Sequence, residues 1–119
     1  MGKINSRAKG AVGERELSNI LKDYGYECRR GQQFCGSNGD ADVVGLPDIH
    51  IECKRVEKLN IETAMEQSRS DARESEIPVV MHRKNHKKWL VTMDLENWIE
   101  LYDEFIKSKL PFAEDDDRK

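Results

Sequence analysis

Ala41-Asp42-Val43-Val44-Gly45-Leu46-Pro47-Asp48-Ile49-His50-Ile51-Glu52-Cys53-Lys54 is the stretch that decides the fold. Two runs suited to strands, 41–44 and 49–54, flank a Gly-Leu-Pro-Asp segment that reads as a turn. Along the second run Ile49, Ile51 and Cys53 alternate with His50, Glu52 and Lys54. One face is therefore apolar and the other polar, the period-2 signature of a strand. A hairpin centred on Pro47 sets Gly45 opposite Ile49, Val43 opposite Ile51 and Asp42 opposite Glu52. This register keeps Ala41 and Val43 on the apolar face; a slip by one residue turns them to the polar face with Glu52. Directly opposed residues have Cβ atoms about 5 Å apart, so Asp42 and Glu52 can share an ion, with Lys54 on the same side. Asp48 lies four residues before Glu52, roughly 13 Å away on a continuous strand, too far for both carboxylates to reach one Mg²⁺. Asp42 is the expected partner, Asp48 the alternative, and Asp40, opposite Lys54, an extra ligand or ion-pair partner. The bland competing reading is a ladder of surface salt bridges on a half-exposed sheet.

Before the hairpin, the spacing of Leu17, Ile20, Leu21 and Tyr24 predicts a helix from about Lys9 to Tyr24, ended by Gly25. Glu14, one turn before Leu17, sits at the margin of that stripe and is placed to point toward the end of the sheet. Gly10 and Gly13 lower helix propensity but allow a close approach to other backbone or to DNA. A strand over Tyr26–Arg30 and a glycine-rich loop over Gly31–Asp40 lead into the hairpin. After it, Asn60 is a good N-cap for a helix carrying Ile61, Ala64, Met65, Ser68 and Ala72 on one face, and Pro78 bars its continuation. Val79–Met81 and Trp89–Val91 read as strands around a basic turn, His82–Lys88. A last helix starts at Asp94, and its stripe of Leu95, Trp98, Ile99, Tyr102, Phe105 and Ile106 reads as core. The order α-β-β-β-α-β-β-α describes an α/β (α+β) protein, a mixed sheet with helices packed on it.

At 119 residues the chain has room for one domain, assigned to residues 1–112, with an acidic tail, 113–119, expected to be disordered. Charged residues make up 36% and hydrophobic ones 37%, and no apolar run is long enough to span a bilayer. No apolar signal segment opens the chain, so a cytoplasmic protein with no membrane partner is expected. Three cysteines, an odd number without CxxC spacing, favour free thiols in a reducing compartment. His82 and His86 have an HxxxH spacing, but no cysteine pair stands at a zinc-finger distance. The net charge of −3 speaks against a nucleic-acid partner only until its distribution is considered. The tail holds four acids against two bases, which leaves −1 on the rest. Positive charge clusters at Lys3, Arg7, Lys9 and Arg15, at Arg29 and Arg30, at Lys54 and Arg55, and at Arg83, Lys84, Lys87 and Lys88. Local patches rather than the total set attraction to phosphates. Any one cluster reads equally well as solvated surface.

Lys9-Gly10-Ala11-Val12-Gly13-Glu14-Arg15, then Asp42, then Glu52-Cys53-Lys54 resembles the PD-(D/E)xK nuclease superfamily, and within it Holliday junction resolvases of the archaeal type and their bacteriophage relatives. An ExK tripeptide alone is weak; a helical KGxxxE, a hairpin Asp and ExK in this order are much more specific. The likeness covers about residues 9–93. It implies a restriction-endonuclease-like mixed sheet flanked by helices, with Glu14 as the helix acid, Asp42 and Glu52 as metal-binding acids and Lys54 as the catalytic lysine. The Cys53 carbonyl joins the expected metal ligands, and the ion expected is Mg²⁺ or Mn²⁺. Family members tend to carry a serine in the loop before the hairpin and a glutamine on the next helix, which match Ser37 and Gln67. Lys9, Arg15, Ser37, Arg55, Gln67, Arg83, Lys84 and Lys87 form the expected DNA-binding set. The only Pro-Asp here, 47–48, follows Asp42 instead of containing it, which departs from the pattern. The resemblance implies a metal-dependent endodeoxyribonuclease selective for branched DNA, working as a homodimer, in the host cytoplasm if phage-encoded. Alternatives are a related nuclease acting on duplex ends, nicks or sites, and a non-catalytic DNA-binding module of the same fold.

Overall fold

The computed structural model describes residues 6–32 and 41–110, leaving out the side chains of residues 6–9. Its elements are α1 (Ser6–Asp23), β1 (Arg29–Arg30), β2 (Val43–Val44), β3 (Ile49–Arg55), α2 (Ile61–Asp71), β4 (Ile77–Arg83), β5 (Leu90–Met93) and α3 (Leu95–Lys109). The order is the one the sequence implies. The five strands form one sheet in the order β1-β2-β3-β4-β5, parallel between β3 and β4 and antiparallel elsewhere. Val43 pairs with Ile51, the register that keeps the apolar faces together. The turn between these strands uses Gly45 at φ +127° and Asp48 at φ +69°. A Cβ on Gly45 would stand 2.5 Å from the Glu27 carbonyl oxygen, so the position has no room for a side chain.

β3 lies in the middle of the sheet with a helix layer on each face. On one face Leu17 of α1 packs with Cys28, Val43, Ile51, Cys53 and Val79. On the other, Ala64 and Met65 of α2 pack on Val80, the parallel neighbour of Glu52. The polar face of β3 is thus covered, not half-exposed: His50 and Glu52 are both buried. A βαβ crossover causes this, because a helix joining two parallel strands must lie across the sheet. Ser68 of α2 is fully buried and its Oγ donates to the Val79 carbonyl at 3.0 Å, fixing the helix to the strand beneath. Asn60 caps α2 by accepting from the Thr63 N–H at 3.0 Å.

Several boundaries differ from the expectation. α1 ends at Asp23, with Gly25 at φ +103° beyond it, and leaves Tyr24 exposed. Pro78 lies inside β4, whose N–H groups toward β3 include Ile77 donating to the Asp48 carbonyl. Its own nitrogen, one residue on, faces the other edge, where pairing with β5 begins only at Val79, so no ladder bond is lost. The largest difference is α3. Its apolar stripe is not core: no side chain of the helix is buried, and Leu95, Trp98, Ile99, Tyr102 and Phe105 are exposed. α1 and α2 already occupy the two faces of the sheet, so a third helix leaving the edge strand β5 projects outward, and the molecule measures 64 × 31 × 26 Å. No helix among the described residues is long and apolar enough to cross a membrane.

Candidate active site

Asp42 stands one residue before β2, where ladder pairing gives way to side-chain bonding. Its N–H donates to the Ile51 carbonyl at 3.0 Å, and its Oδ2 accepts from the Cys53 N–H at 2.8 Å. The carboxylate therefore takes the place of a backbone acceptor and is fixed against β3. Glu52 projects into a groove between the sheet and α2 that Asp42, His50, Lys54, Gln67 and Asp71 also line. Lys54 Nζ lies 3.8 Å from Glu52 Oε2, at the more open end, with 39% of its side chain exposed. Asp42, Glu52 and Lys54 thus share one groove.

Burial pushes the Glu52 carboxyl up to about 7, and the Asp42 charge adds to that, while Lys54 opposes it. Burial also raises Asp42, against the lowering effect of the Cys53 N–H and of Lys54. Two desolvated carboxylates that repel each other's ionisation form a site that favours a cation. The donor set is mainly oxygen, suited to a hard divalent ion such as Mg²⁺ or Mn²⁺, so these residues fit the metal that the sequence implies. Glu14, on the opposite helix layer, is mostly buried and pairs with Arg30 Nε at 3.0 Å. Burial raises its carboxyl, Arg30 lowers it, and the charges of Asp42 and Lys54 both act on it. It therefore stands within electrostatic reach of the groove.

Two further groups belong to the groove that the sequence reading did not single out. One nitrogen of His50, one oxygen of Glu52 and one of Asp71 lie within 4.8 Å of one another. His50 Nδ1 is 3.3 Å from Glu76 Oε1, and Asp71 Oδ2 accepts from Gln67 Nε2 at 2.7 Å. Signals for both existed: His50 shares the polar face of β3 two residues from Glu52, and Asp71 follows Gln67 by four residues, one helical turn.

The remaining expected residues are dispersed. Asp48 is exposed in the turn, its carbonyl bound by Ile77, and does not line the groove. Arg55 Nε pairs with Glu16 at 3.0 Å, and Arg83 pairs with the same carboxylate at 2.8 Å while lying over the Trp89 ring. Arg15 is exposed on α1. Lys84 and Lys87 are exposed and line a second groove together with Lys58 and Lys88. Ser37, Asp40 and the side chain of Lys9 lie outside the described residues.

The family model described as "Phage putative PDDEXK endonuclease" matches residues 5–116. Hjc of Archaeoglobus fulgidus, a Holliday junction resolvase from an archaeal hyperthermophile, is similar in structure, with a TM-score of 0.53 and 21% identity over 71% of this chain and 72% of Hjc. That likeness is one of fold, a mixed sheet flanked by helices. Among curated proteins no sequence match is found.

Proposed function

This chain belongs to the phage PDDEXK endonuclease family, and we propose that it is a divalent-metal-dependent endodeoxyribonuclease selective for branched DNA. The observation that carries the reading is the convergence of Asp42, Glu52 and Lys54 on one groove, with the Asp42 carboxylate held against β3 by the Cys53 N–H. The working unit is a single domain over residues 1–112. Free buried thiols at Cys28 and Cys53 accord with the cytoplasm, that of the host if the chain is phage-encoded.

Asp42 and Glu52 would hold the ion, with the Cys53 carbonyl and Glu14 as further ligands. Cys53 sends its N–H to Asp42, and an extended residue directs its carbonyl to the same strand edge. Bound Mg²⁺ or Mn²⁺ supplies charge neutralisation at the scissile phosphate and a more acidic attacking water. Lys54 does its own part: its ammonium, at the open end of the groove, donates to the attacking water or to a non-bridging phosphate oxygen as negative charge develops there. The Cys53 N–H holds the Asp42 carboxylate in one orientation, and Gln67 does the same for Asp71. Beyond the groove, Arg15 on α1 and Lys84 and Lys87 at the second groove are exposed for backbone phosphate contacts, and Lys9, Ser37, Arg55, Gln67 and Arg83 complete the proposed DNA-binding set; such contacts position DNA without reading its sequence. A four-way junction presents two equivalent strands, so the acting species is a homodimer with two grooves.

The test compares cleavage of a four-way junction with that of linear, nicked and blunt duplexes of the same sequence, with Mg²⁺ and with chelator. Preference for the junction, lost with chelator and in Glu52→Ala, is expected. Equal cutting of junction and linear duplex would select the family's end-, nick- or site-directed activities instead, and metal-independent binding without any cleavage would leave a non-catalytic DNA-binding module.

A further inference from the structure

α3 presents its apolar stripe to solvent: Leu95, Trp98, Ile99, Leu101, Tyr102 and Phe105 are between 42% and 73% exposed. Three of its rings form a ladder, Trp98 stacked on Tyr102 at 5.2 Å and Tyr102 against Phe105 at 6.1 Å. An ordered aromatic stripe of this size on a charged helix marks a surface that a partner covers.

The charges on α3 identify the partner. Glu96, Glu100, Asp103 and Glu104 outweigh Lys107 and Lys109, so the helix repels DNA phosphates and lacks the basic polar face of helices that lie on anionic membranes. Along the axis the charges are sorted: Asp94 and Glu96 at the start, Lys107 and Lys109 in the last turn. A parallel copy of the helix would set like charge against like. An antiparallel copy centred on Tyr102 sets Trp98 against Ile106, Ile99 against Phe105, and Lys107 and Lys109 beside Asp94 and Glu96, with the helix dipoles opposed as well. At roughly 150–250 Å² for each aromatic side chain, the exposed portions of the stripe amount to several hundred Å², comparable with the ~800 Å² that one partner contributes to a standard interface.

We infer that α3 is the self-association surface of this protein, pairing antiparallel with α3 of a second copy about a two-fold axis at Tyr102. The inference rests, for its purpose, on the two-groove homodimer proposed above, and it names the interface of that dimer. It is tested without DNA or metal, so its failure is separable from that of the nuclease reading. In a Cys35→Ser chain, where Cys28 and Cys53 are buried, Tyr102→Cys should form a disulfide-linked dimer under mild oxidation. Leu95→Cys should not, because the two copies of position 95 would stand about 21 Å apart at 1.5 Å per residue. A mixture of Leu95→Cys with Lys109→Cys should cross-link. Trp98→Glu with Phe105→Glu should weaken dimerisation by about 100-fold in sedimentation equilibrium while the thermal transition of the nuclease domain persists. Glu96→Lys should weaken the dimer, and adding Lys107→Glu and Lys109→Glu should restore it. A monomer throughout the micromolar range overturns the inference, as does ready Leu95–Leu95 cross-linking or a dimer indifferent to the α3 charges, and an active monomer would do so while leaving the nuclease reading intact.

Discussion

Glu52 carries the sharpest consequence at the scale of single residues. Its carboxyl is raised from the ordinary value of 4.5 to about 7 by burial and by Asp42. A raised folded-state pKa means that the folded protein holds this proton more tightly than the unfolded chain does. The associated stability is complete below about 4.5 and is lost as pH rises through about 7. The metal-free protein should therefore lose on the order of 2 kcal/mol between pH 5 and pH 8, part of the effect being screened at the open mouth of the groove. Thermal melts in chelator should show the decline. Mg²⁺ should offset it, with a larger rise in Tm at pH 8 than at pH 5.5, and Glu52→Gln should flatten both trends. A Tm that climbs with pH in chelator would contradict the burial of that charge. Lys54 stands differently, half in solvent at the mouth. Lys54→Ala should slow single-turnover cleavage by about 100-fold or more while leaving Mn²⁺ binding, read by calorimetry, nearly intact; equal loss of both would make the lysine a structural ion pair.

Among the elements, α1 shows how closely a helix must approach the sheet to bring Glu14 within electrostatic reach of the groove. A Cβ at Gly13 would lie 2.9 Å from Arg55 Cβ, a strand atom that cannot swing aside, whereas Gly10 faces open space among the described residues. Gly13→Ala should cost about 1–3 kcal/mol in denaturant melts and reduce cleavage by displacing Glu14. Gly10→Ala should instead stabilise the helix by about 0.5–1 kcal/mol. Destabilisation by both would mean that α1 sits elsewhere. The hairpin was legible because alternation and turn chemistry both selected the Val43–Ile51 register. α2 was legible through its Asn60 cap and the spacing of Ala64, Met65 and Ser68. What alternation could not reveal was the burial of its polar face: a strand reads the same whether water or a crossover helix lies over Glu52. The partners of Arg55 and Arg83 were equally hidden, because Glu16 meets them across 39 and 67 residues of chain. The α3 stripe misled for a related reason, since amphipathicity records that a helix face is covered without recording which chain covers it.

For the whole molecule, the relevant quantity is the distribution of charge. The chain is net negative at −3, yet Lys58, Lys84, Lys87 and Lys88 gather around one groove at the far end of β4. Binding to a four-way junction should weaken linearly in log affinity against log salt, each phosphate contact contributing about −0.9 to the slope. Lys84→Ala with Lys87→Ala should make that slope shallower by about 2, with junction preference unchanged. An unaltered slope would place the DNA on another face. The position of β3 at the centre of the sheet bears on how much of the chain the proposed nuclease needs. Glu52 is enclosed where α2 crosses the sheet and packs on Val80 of β4, and β4 ends at Arg83. A chain cut back before Ile77 keeps Asp42, Glu52 and Lys54 but lacks the strand on which α2 rests, so it should neither form the groove nor perform the proposed cleavage.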